Sequence, residues 1–157
     1  MIKLCVFSDS HGCASHMIAA VEKENPALCF FLGDGERDLA EVQARFPSLP
    51  IYAVRGNCDL RSQLSDTLTC TVGGVRIFAA HGHQYHVKYE PGLETLSDAA
   101  KRAGASVVLF GHTHHSLLEQ KRDLLFLNPG TIGRVPHPGY GLLRLDDGAA
   151  RGMLMTL

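Results

Sequence analysis

The sequence predicts a mixed α/β fold, and three features of its hydrophobic pattern indicate this class. In the first half, short apolar runs alternate with amphipathic helical segments, an order that favours parallel strands joined by right-handed crossovers. In the second half, apolar runs separated by tight turns are typical of antiparallel pairs. Five of the apolar runs lead directly into residue types that bind metals. We therefore expect mixed sheets with helices on their outer faces, in a single domain over residues 1–157.

The first half predicts three strands and two helices. The strands are residues 4–7, 28–32 and 51–54, each a short run rich in Val, Ile or Phe. The first helix runs from Ser15, its predicted N-cap, to Lys23, and the second covers residues 38–46 before Pro47. Because parallel strands end at the same edge of a sheet, residues that follow these strands should gather there.

The second half predicts a hairpin, one helix and several short strands. Gly73-Gly74 separates the strands 68–72 and 75–80, a two-residue turn signal. A helix over residues 93–102 has basic residues in its last turn and precedes a strand at 107–110. Three further strands are expected, at residues 124–127, 140–145 and 153–157.

Composition and charge exclude several classes of protein. The chain has 15 basic and 16 acidic side chains in interspersed order, so it lacks a general nucleic-acid or anionic-membrane footprint. No apolar run is long enough for a signal core or a membrane span. The five cysteines include no C-x-x-C pair and are expected to stay reduced, which predicts a cytoplasmic location.

Residue types that bind metals recur where the apolar runs end. In chain order they are Asp9, His11, Asp34, Asn57, His81, His112 and His114. Oxygen and imidazole nitrogen donors suit Mn, Fe, Zn or Ni, and the lack of clustered thiolates argues against a structural zinc knuckle. Simpler roles stay open for some of them, since an Asp often caps a helix and Asn57 follows Gly56 as a turn residue would. Asp59 is expected to support its loop.

These residues belong to five motifs that resemble, in order, those of the calcineurin-like metallophosphoesterase superfamily. The motifs are Asp9-Ser10-His11, Gly33-Asp34, Gly56-Asn57, His81-Gly82-His83 and Gly111-His112-Thr113-His114. The small size, Cys58 and the segment Asn128-Pro129-Gly130-Thr131 resemble its small YfcE-like phosphodiesterase branch. The resemblance implies a four-layer α-β-β-α sandwich with two metals at the strand ends. It implies one metal held by Asp9, His11 and His114, another held by Asn57, His81 and His112, and Asp34 bridging the two.

The resemblance also implies a reaction. The protein would be a metal-dependent phosphoric ester hydrolase, most simply a phosphodiesterase, acting on a small phosphodiester or phosphate ester. A hydroxide bridging two divalent ions would attack phosphorus in line, and the ions would stabilise the developing charge. Because only two of the ligands are carboxylates, the centre would stay net positive and attract a phosphate anion. Mn²⁺ is the favoured metal, with Fe, Zn or Ni as alternatives.

One position departs from the pattern of the superfamily. Many members have a histidine, thought to protonate the leaving oxygen, where this chain has Cys58. A thiol with an ordinary pKa of about 8.5 suits that role poorly at neutral pH. The catalytic acid is therefore unknown from the sequence, and His83 and His115 are alternatives.

Two other functions remain open at this point. A retromer subunit that serves as a scaffold resembles this same branch, so a non-enzymatic interaction module of this fold is one alternative. A phosphomonoesterase is the other. Exposed apolar surface near the C-terminal strands would support a homodimer or a higher homo-oligomer.

Overall fold

The computed structural model describes residues 1–157, and its strands form two five-stranded sheets. In chain order the elements are β1 (Ile2–Phe7), α1 (Ala14–Glu24), β2 (Leu28–Phe31), α2 (Glu36–Arg45), β3 (Ile51–Ala53), β4 (Thr67–Val72), β5 (Val75–Ala80), a short 3-10 helix (His83–Tyr85), α3 (Glu94–Arg102), β6 (Val107–Leu109), β7 (Leu117–Lys121), β8 (Leu124–Asn128), β9 (Gly139–Asp146) and β10 (Ala149–Thr156). No helix is both long and apolar enough to cross a bilayer.

The first sheet has the strand order β10-β9-β1-β2-β3. Its three N-terminal strands are parallel, with Cys5 opposite Cys29 and Phe31 opposite Ala53. The C-terminal strands complete it, because β9 pairs antiparallel with β1 and β10 pairs antiparallel with β9. The predicted parallel start of the chain is therefore confirmed.

The second sheet has the order β4-β5-β6-β8-β7. The predicted hairpin joins β4 to β5, and both turn glycines, Gly73 and Gly74, have positive φ angles of 55° and 78°. Two central φ angles above zero are what a type I′ hairpin turn requires. The strands β5, β6 and β8 are parallel, so their carboxyl ends point the same way.

Three apolar clusters hold the layers together. The cluster between the sheets contains alternate residues of β1 and β5, among them Leu4, Val6 and Ile77. On the outer face of the first sheet, Met17 of α1 and Val42 of α2 pack against the strands. On the outer face of the second sheet, α3 packs through residues that include fully buried Leu96. The layer order is α-β-β-α, as the family resemblance implied.

Three local expectations differ from the structure. Ser15 lies inside α1, whose N-cap is Cys13 without a side-chain hydrogen bond, so the predicted Ser15 cap was wrong. The second helix begins at Glu36 instead of residue 38, because the Asp59 carboxylate accepts the N–H groups of Gly35 and Glu36 and caps the first turn. The last strand begins at residue 149 instead of 153, since β10 pairs with β9 along its whole length.

Candidate metal centre

The carboxyl ends of the parallel strands from both sheets meet at one edge of the sandwich. In the first sheet, β1 leads into Asp9 and β2 leads into Asp34. In the second sheet, β5 leads into His81 and β6 leads into His112. The edge therefore combines the carboxylates of one sheet with imidazoles of the other.

The Asp9 carboxylate is fully buried and is oriented by two hydrogen bonds. Its Oδ2 atom accepts the Ser8 hydroxyl at 2.5 Å and the backbone N–H of His112 at 3.1 Å. Its Oδ1 atom has no hydrogen-bond partner. That oxygen lies 3.2 Å from Nε2 of His114, 3.6 Å from Nε2 of His11 and 3.8 Å from Nε2 of His81. One carboxylate oxygen is therefore anchored, and the other faces three imidazole nitrogens.

The two oxygens of the Asp34 carboxylate also have different partners. Its Oδ1 atom accepts the backbone N–H of Cys58 at 2.8 Å. Its Oδ2 atom lies 3.3 Å from Nε2 of His81 and 3.7 Å from Nε2 of His11. Asp34 thus stands between an imidazole that follows β1 and an imidazole that follows β5.

The imidazole of His81 is fixed in one tautomer. Its Nδ1 atom lies 2.7 Å from the carbonyl oxygen of Leu32, and because a carbonyl can only accept, Nδ1 must carry the proton. In the neutral ring, the lone pair of Nε2 then faces the two carboxylates, in a fully buried side chain where Nε2 has no hydrogen-bond partner. A histidine held through its second nitrogen in this way is the usual arrangement of a metal ligand.

The remaining predicted imidazole ligands are His11, His112 and His114. The Nε2 atoms of His11 and His114 lie 3.3 Å apart. The ring of His112 packs edge-on against His81, with centroids 5.0 Å apart. The structure therefore brings six of the predicted ligands to one place, and these are Asp9, His11, Asp34, His81, His112 and His114.

Several of these residues have backbone angles that L-amino acids rarely adopt. Positive φ angles occur at Asp9 (58°), His11 (42°), Asp34 (64°), His112 (68°) and His114 (61°). Conformations of this kind cost about 1–3 kcal/mol each and persist where the surrounding structure imposes them. Their concentration on the predicted ligands is typical of a functional site.

The charges of the cluster are tightly coupled. Burial by itself would raise the pKa of Asp34, but the close approach of His81 and the hydrogen bond from the Cys58 N–H lower it below its usual range. Burial opposes a charge on His81, yet the close approach of the Asp34 carboxylate and the negative charge of Asp9 raise the pKa of His81. Burial and the nearby charge of His81 lower the pKa of His112 to about 4. The Asp34 carboxylate therefore stays ionised and attracts positive charge into the cluster.

A second set of contacts supports the ligand loops. The Asp59 carboxylate accepts the N–H groups of Asp34 (2.8 Å), Gly35 (2.9 Å), Glu36 (3.1 Å) and Gly56 (2.9 Å). It therefore supports its loop, as the sequence predicted. Buried Asp38 accepts the Ser10 hydroxyl at 2.6 Å and the Gly12 N–H at 2.8 Å, and so fixes the segment that carries His11.

Sequence reasoning missed the supporting roles of Asp38 and Ser8. The sequence does contain a signal for Asp38. This acidic residue directly precedes Leu39, which lies on the face of α2 that packs on the sheet, and Asp38 is itself buried. For Ser8 the sequence offers only its position between a buried strand and Asp9.

Asn57 is the predicted ligand that the structure does not join to the others. Its side chain is exposed, and its Nδ2 atom lies 3.5 Å from Sγ of Cys58. No side-chain hydrogen bond links it to His81 or Asp34. Its place in the ligand set stays a prediction.

The residues considered for proton transfer lie at different distances from the cluster. Cys58 is exposed beside Asp34, and partial desolvation of its thiol together with the charge of Asp34 raises the pKa of that thiol. The ring of His83 lies 5.5 Å from that of His81 and 6.0 Å from that of His112, and its buried Nδ1 atom has no hydrogen-bond partner. His115 is exposed, and no contact connects its ring to the cluster.

The donor atoms of the cluster fit a divalent transition-metal ion. Three groups have ligand atoms within 4.8 Å of one another, namely Asp9 with His11 and His114, Asp9 with Asp34 and His81, and Asp34 with His11 and Cys58. Buried polar atoms without partners are costly, and Oδ1 of Asp9 and Nε2 of His81 are two such atoms on facing side chains. Carboxylate oxygens and imidazole nitrogens are a donor set that such ions accept. The site can therefore hold metal.

Comparison with protein families and curated sequences identifies close similarities. The family model of the calcineurin-like phosphoesterase superfamily domain matches residues 2–148. The chain is 32% identical over 154 residues to the probable metallophosphoesterase YsnB of Bacillus subtilis, an alignment that covers 95% of this chain and 88% of the relative. It is 28% identical over 174 aligned residues to the phosphodiesterase YfcE of Escherichia coli K12, with 93% and 89% covered.

Solved structures share the fold. A conserved protein of Streptococcus pneumoniae TIGR4, described as a predicted phosphoesterase, superposes with a TM-score of 0.83 at 25% identity and covers 99% of this chain and 89% of that one. Vps29 of Entamoeba histolytica, solved in complex with zinc, superposes with a TM-score of 0.77 at 18% identity, with 99% of both chains covered. At that identity the second likeness concerns the fold alone.

Proposed function

This chain belongs to the calcineurin-like phosphoesterase superfamily, and we propose that it hydrolyses phosphodiesters with two bound divalent metal ions. The observation that carries the proposal is the pair of facing, buried and unpartnered ligand atoms, Oδ1 of Asp9 and Nε2 of His81, which lie 3.8 Å apart. A bound cation would satisfy both atoms at once. Relatives named as phosphodiesterases support the choice of a diester substrate.

The proposed ligand sets follow the two sheets. Asp9, His11 and His114 would hold one ion, and Asn57, His81 and His112 would hold the other, with Asp34 shared. The short distances within the first set and the position of Asp34 between His11 and His81 support this division. The role of Asn57 rests on the family motif alone.

Bound in this way, two divalent ions would supply Lewis acidity and make hydroxide available near neutral pH for in-line attack. The chain's own residues prepare the site for that chemistry. Leu32 holds His81 in the tautomer that leaves Nε2 free, and Ser8 holds one oxygen of Asp9 so that the other faces inward. With Asp9 and Asp34 as the only carboxylates among the ligands, the loaded centre would stay net positive and would attract a phosphate anion.

Leaving-group protonation is the weak step of this site. The raised pKa of Cys58 makes its thiol a poor proton donor at neutral pH, so esters with good leaving groups should react best. His83 is the nearest remaining imidazole, and because burial and the charge of His81 lower its pKa, it is neutral at physiological pH. We propose that its N–H group hydrogen-bonds a phosphate oxygen instead of protonating the leaving group.

Mn²⁺ is the metal that we propose, with Fe, Zn or Ni as ions that purification can leave in its place. We also propose a cytoplasmic location, because all five cysteines are free thiols, as expected in a reducing compartment.

The decisive experiment measures metal content and diester hydrolysis on the same purified protein. We expect bis-p-nitrophenyl phosphate to be hydrolysed with added Mn²⁺, EDTA to abolish the activity, and p-nitrophenyl phosphate to react more slowly. Faster reaction of the monoester would instead identify a phosphomonoesterase. A metal-loaded protein that hydrolyses neither ester but binds a partner tightly would be a scaffold of this fold.

A further inference from the structure

A cleft of about 690 Å³ opens beside the candidate metal centre and shares His11 and Asp34 with it. Its volume lies within the range of roughly 300–1,000 Å³ that is usual for pockets binding small ligands. Away from the metal ligands, its wall is formed by the start of α2 and by the loop after β3, which contribute Arg37, Leu60 and Arg61. This wall is where the part of a substrate beyond the reacting phosphate would lie.

The carboxylates in the cleft wall are already engaged. Asp59 accepts four backbone N–H groups, and Asp38 accepts the Ser10 hydroxyl and the Gly12 N–H. Asp34 faces His81 and the N–H of Cys58. The oxygens of these carboxylates are occupied by other partners and form no ion pair with Arg37 or Arg61, and Glu36 is the one remaining acidic side chain of the wall.

Arg37 and Arg61 are both exposed, and neither forms an ion pair. By contrast, Arg45 and Arg55 each bind a carboxylate at 2.8 Å and 2.7 Å. Two free guanidinium groups beside a cleft are suited to a phosphate, which they can bind through paired hydrogen bonds.

The loop that carries Arg61 has two further unusual features. Arg61 adopts a left-handed backbone conformation with φ of 59°, and its neighbour Leu60 is 84% exposed. An apolar side chain held in solvent beside a charged cleft offers contact to the organic part of a ligand. The wall therefore combines an apolar contact with two cationic groups.

From these contacts we propose that Arg37 and Arg61 bind a second phosphate group of the substrate. The natural substrate is then a phosphodiester that carries a further phosphate on one of its organic arms. This inference rests on the proposed phosphodiesterase function, since it assigns the wall of the same site.

Two chromogenic diesters that differ only in the second phosphate test the inference. They are thymidine 5′-(p-nitrophenyl phosphate) and the same compound with a 3′-phosphate, and both release p-nitrophenolate. We expect the Mn²⁺-loaded protein to prefer the 3′-phosphorylated ester in kcat/KM by on the order of tenfold, chiefly through KM. In Arg37→Gln and Arg61→Gln this preference should fall several-fold, and in the double variant the ratio should approach one. Arg45→Gln, which changes the far end of α2, should keep the wild-type ratio.

Different results would overturn different proposals. Hydrolysis of both esters without preference, or a preference that survives in the double variant, would reject the phosphate subsite and leave the phosphodiesterase function intact. Absence of hydrolysis would reject the enzymatic proposal, and the subsite is then tested by calorimetry with thymidine 3′,5′-bisphosphate and thymidine 5′-phosphate. Tighter binding of the bisphosphate, lost in the double variant, would support the subsite, and equal affinities would reject it.

Discussion

Asp34 and Cys58 are neighbours at the candidate metal centre, yet we expect very different consequences when each is replaced. Asp34 is buried between His11 and His81, so Asp34→Asn removes a charge that a bound cation needs. We expect this variant to lose more than about 100-fold in kcat, beyond the usual effect of a residue that only supports a ligand. Cys58→Ala removes an exposed, weakly acidic thiol and should cost less than about tenfold. Steady-state kinetics on bis-p-nitrophenyl phosphate compare the two, and similar losses in kcat would contradict the assignment.

The lowered pKa of His112 predicts how the stability of the metal-free protein depends on pH. Its pKa is about 4 in the folded chain, below the ordinary 6.5, because of burial and the charge of His81. Between these values the unfolded state binds a proton that the folded state does not, so the free energy of unfolding falls as the pH drops from 6.5 towards 4. His81 acts in the opposite sense, since its raised pKa gives stability that is present below 6.5 and lost as the pH rises above its folded pKa.

Replacing His112 shows how much of the pH dependence of stability comes from this residue. We expect EDTA-treated His112→Gln to lose less stability than the wild type over the same pH interval, measured by urea unfolding at several pH values. His137→Gln, a change at an exposed histidine, controls for the removal of an imidazole. An unchanged pH slope in His112→Gln would show that His112 is not held neutral by the fold.

The residue types of the centre were accessible to sequence reasoning, whereas their supporting contacts were not. Asp9 and His81 stand out because each follows a buried strand directly. The contact of Asp38 with Gly12 joins residues 26 positions apart, and that of Ser8 with Asp9 becomes meaningful only once His112 approaches the same carboxylate. Such contacts depend on how distant loops meet, which no local pattern records.

At the scale of elements, glycines shape the loops after β1 and β2, and substitutions of these glycines test how tightly the candidate metal centre is packed. Gly33 has φ of 102°, and an added Cβ would lie 2.5 Å from the N atom of Gly56 and 2.9 Å from Nδ1 of His81. Gly12 has a similar φ of 92°, but a Cβ there would meet nothing within 4 Å. The two positions share the backbone cost and differ in crowding.

Alanine at these two positions should therefore have unequal effects. We expect Gly12→Ala to cost about 1–3 kcal/mol of unfolding free energy from its positive φ alone. Gly33→Ala should cost a further ~1–3 kcal/mol from overpacking and should also weaken metal binding, because it displaces His81. Urea unfolding of the metal-free proteins and Mn²⁺ titration measure the two effects. Equal losses of stability would show that the loop around Gly33 can relax.

Most elements follow from periodicity and turn signals, and the exceptions have physical causes. Strands such as β2 and β6 are predictable because they are buried on both faces and are continuously apolar. The edge strand β7 lacks such a run, since alternate residues of Leu117–Lys121 face solvent, and the start of α2 is set by Asp59 from another loop. Edge pairing and capping by a distant residue are tertiary effects.

At the scale of the whole molecule, the candidate metal centre joins the two sheets of the sandwich. Asp9 and Asp34 follow strands of the first sheet, and His81 and His112 follow strands of the second. Between the sheets lies an apolar core, while at this edge the contacts are between charged and polar groups. A bound ion would therefore act as a bridge between the sheets as well as the reactive centre.

Such a bridge predicts that metal stabilises the entire fold and not the loops alone. At a free Mn²⁺ concentration of 100 times Kd, linkage gives about 2.7 kcal/mol of added stability, provided that the unfolded chain does not bind the ion. We expect a rise in Tm on adding Mn²⁺, its reversal by EDTA, and slower amide exchange in both β1 and β5 of the loaded protein. Asp34→Asn should lose most of the Tm shift, whereas Arg45→Gln, whose ion pair with Glu22 lies on the exposed faces of the helices, should retain it. A full Tm shift in Asp34→Asn would mean that Mn²⁺ stabilises the protein from another site, and protection confined to the first sheet would mean that the ion does not join the two.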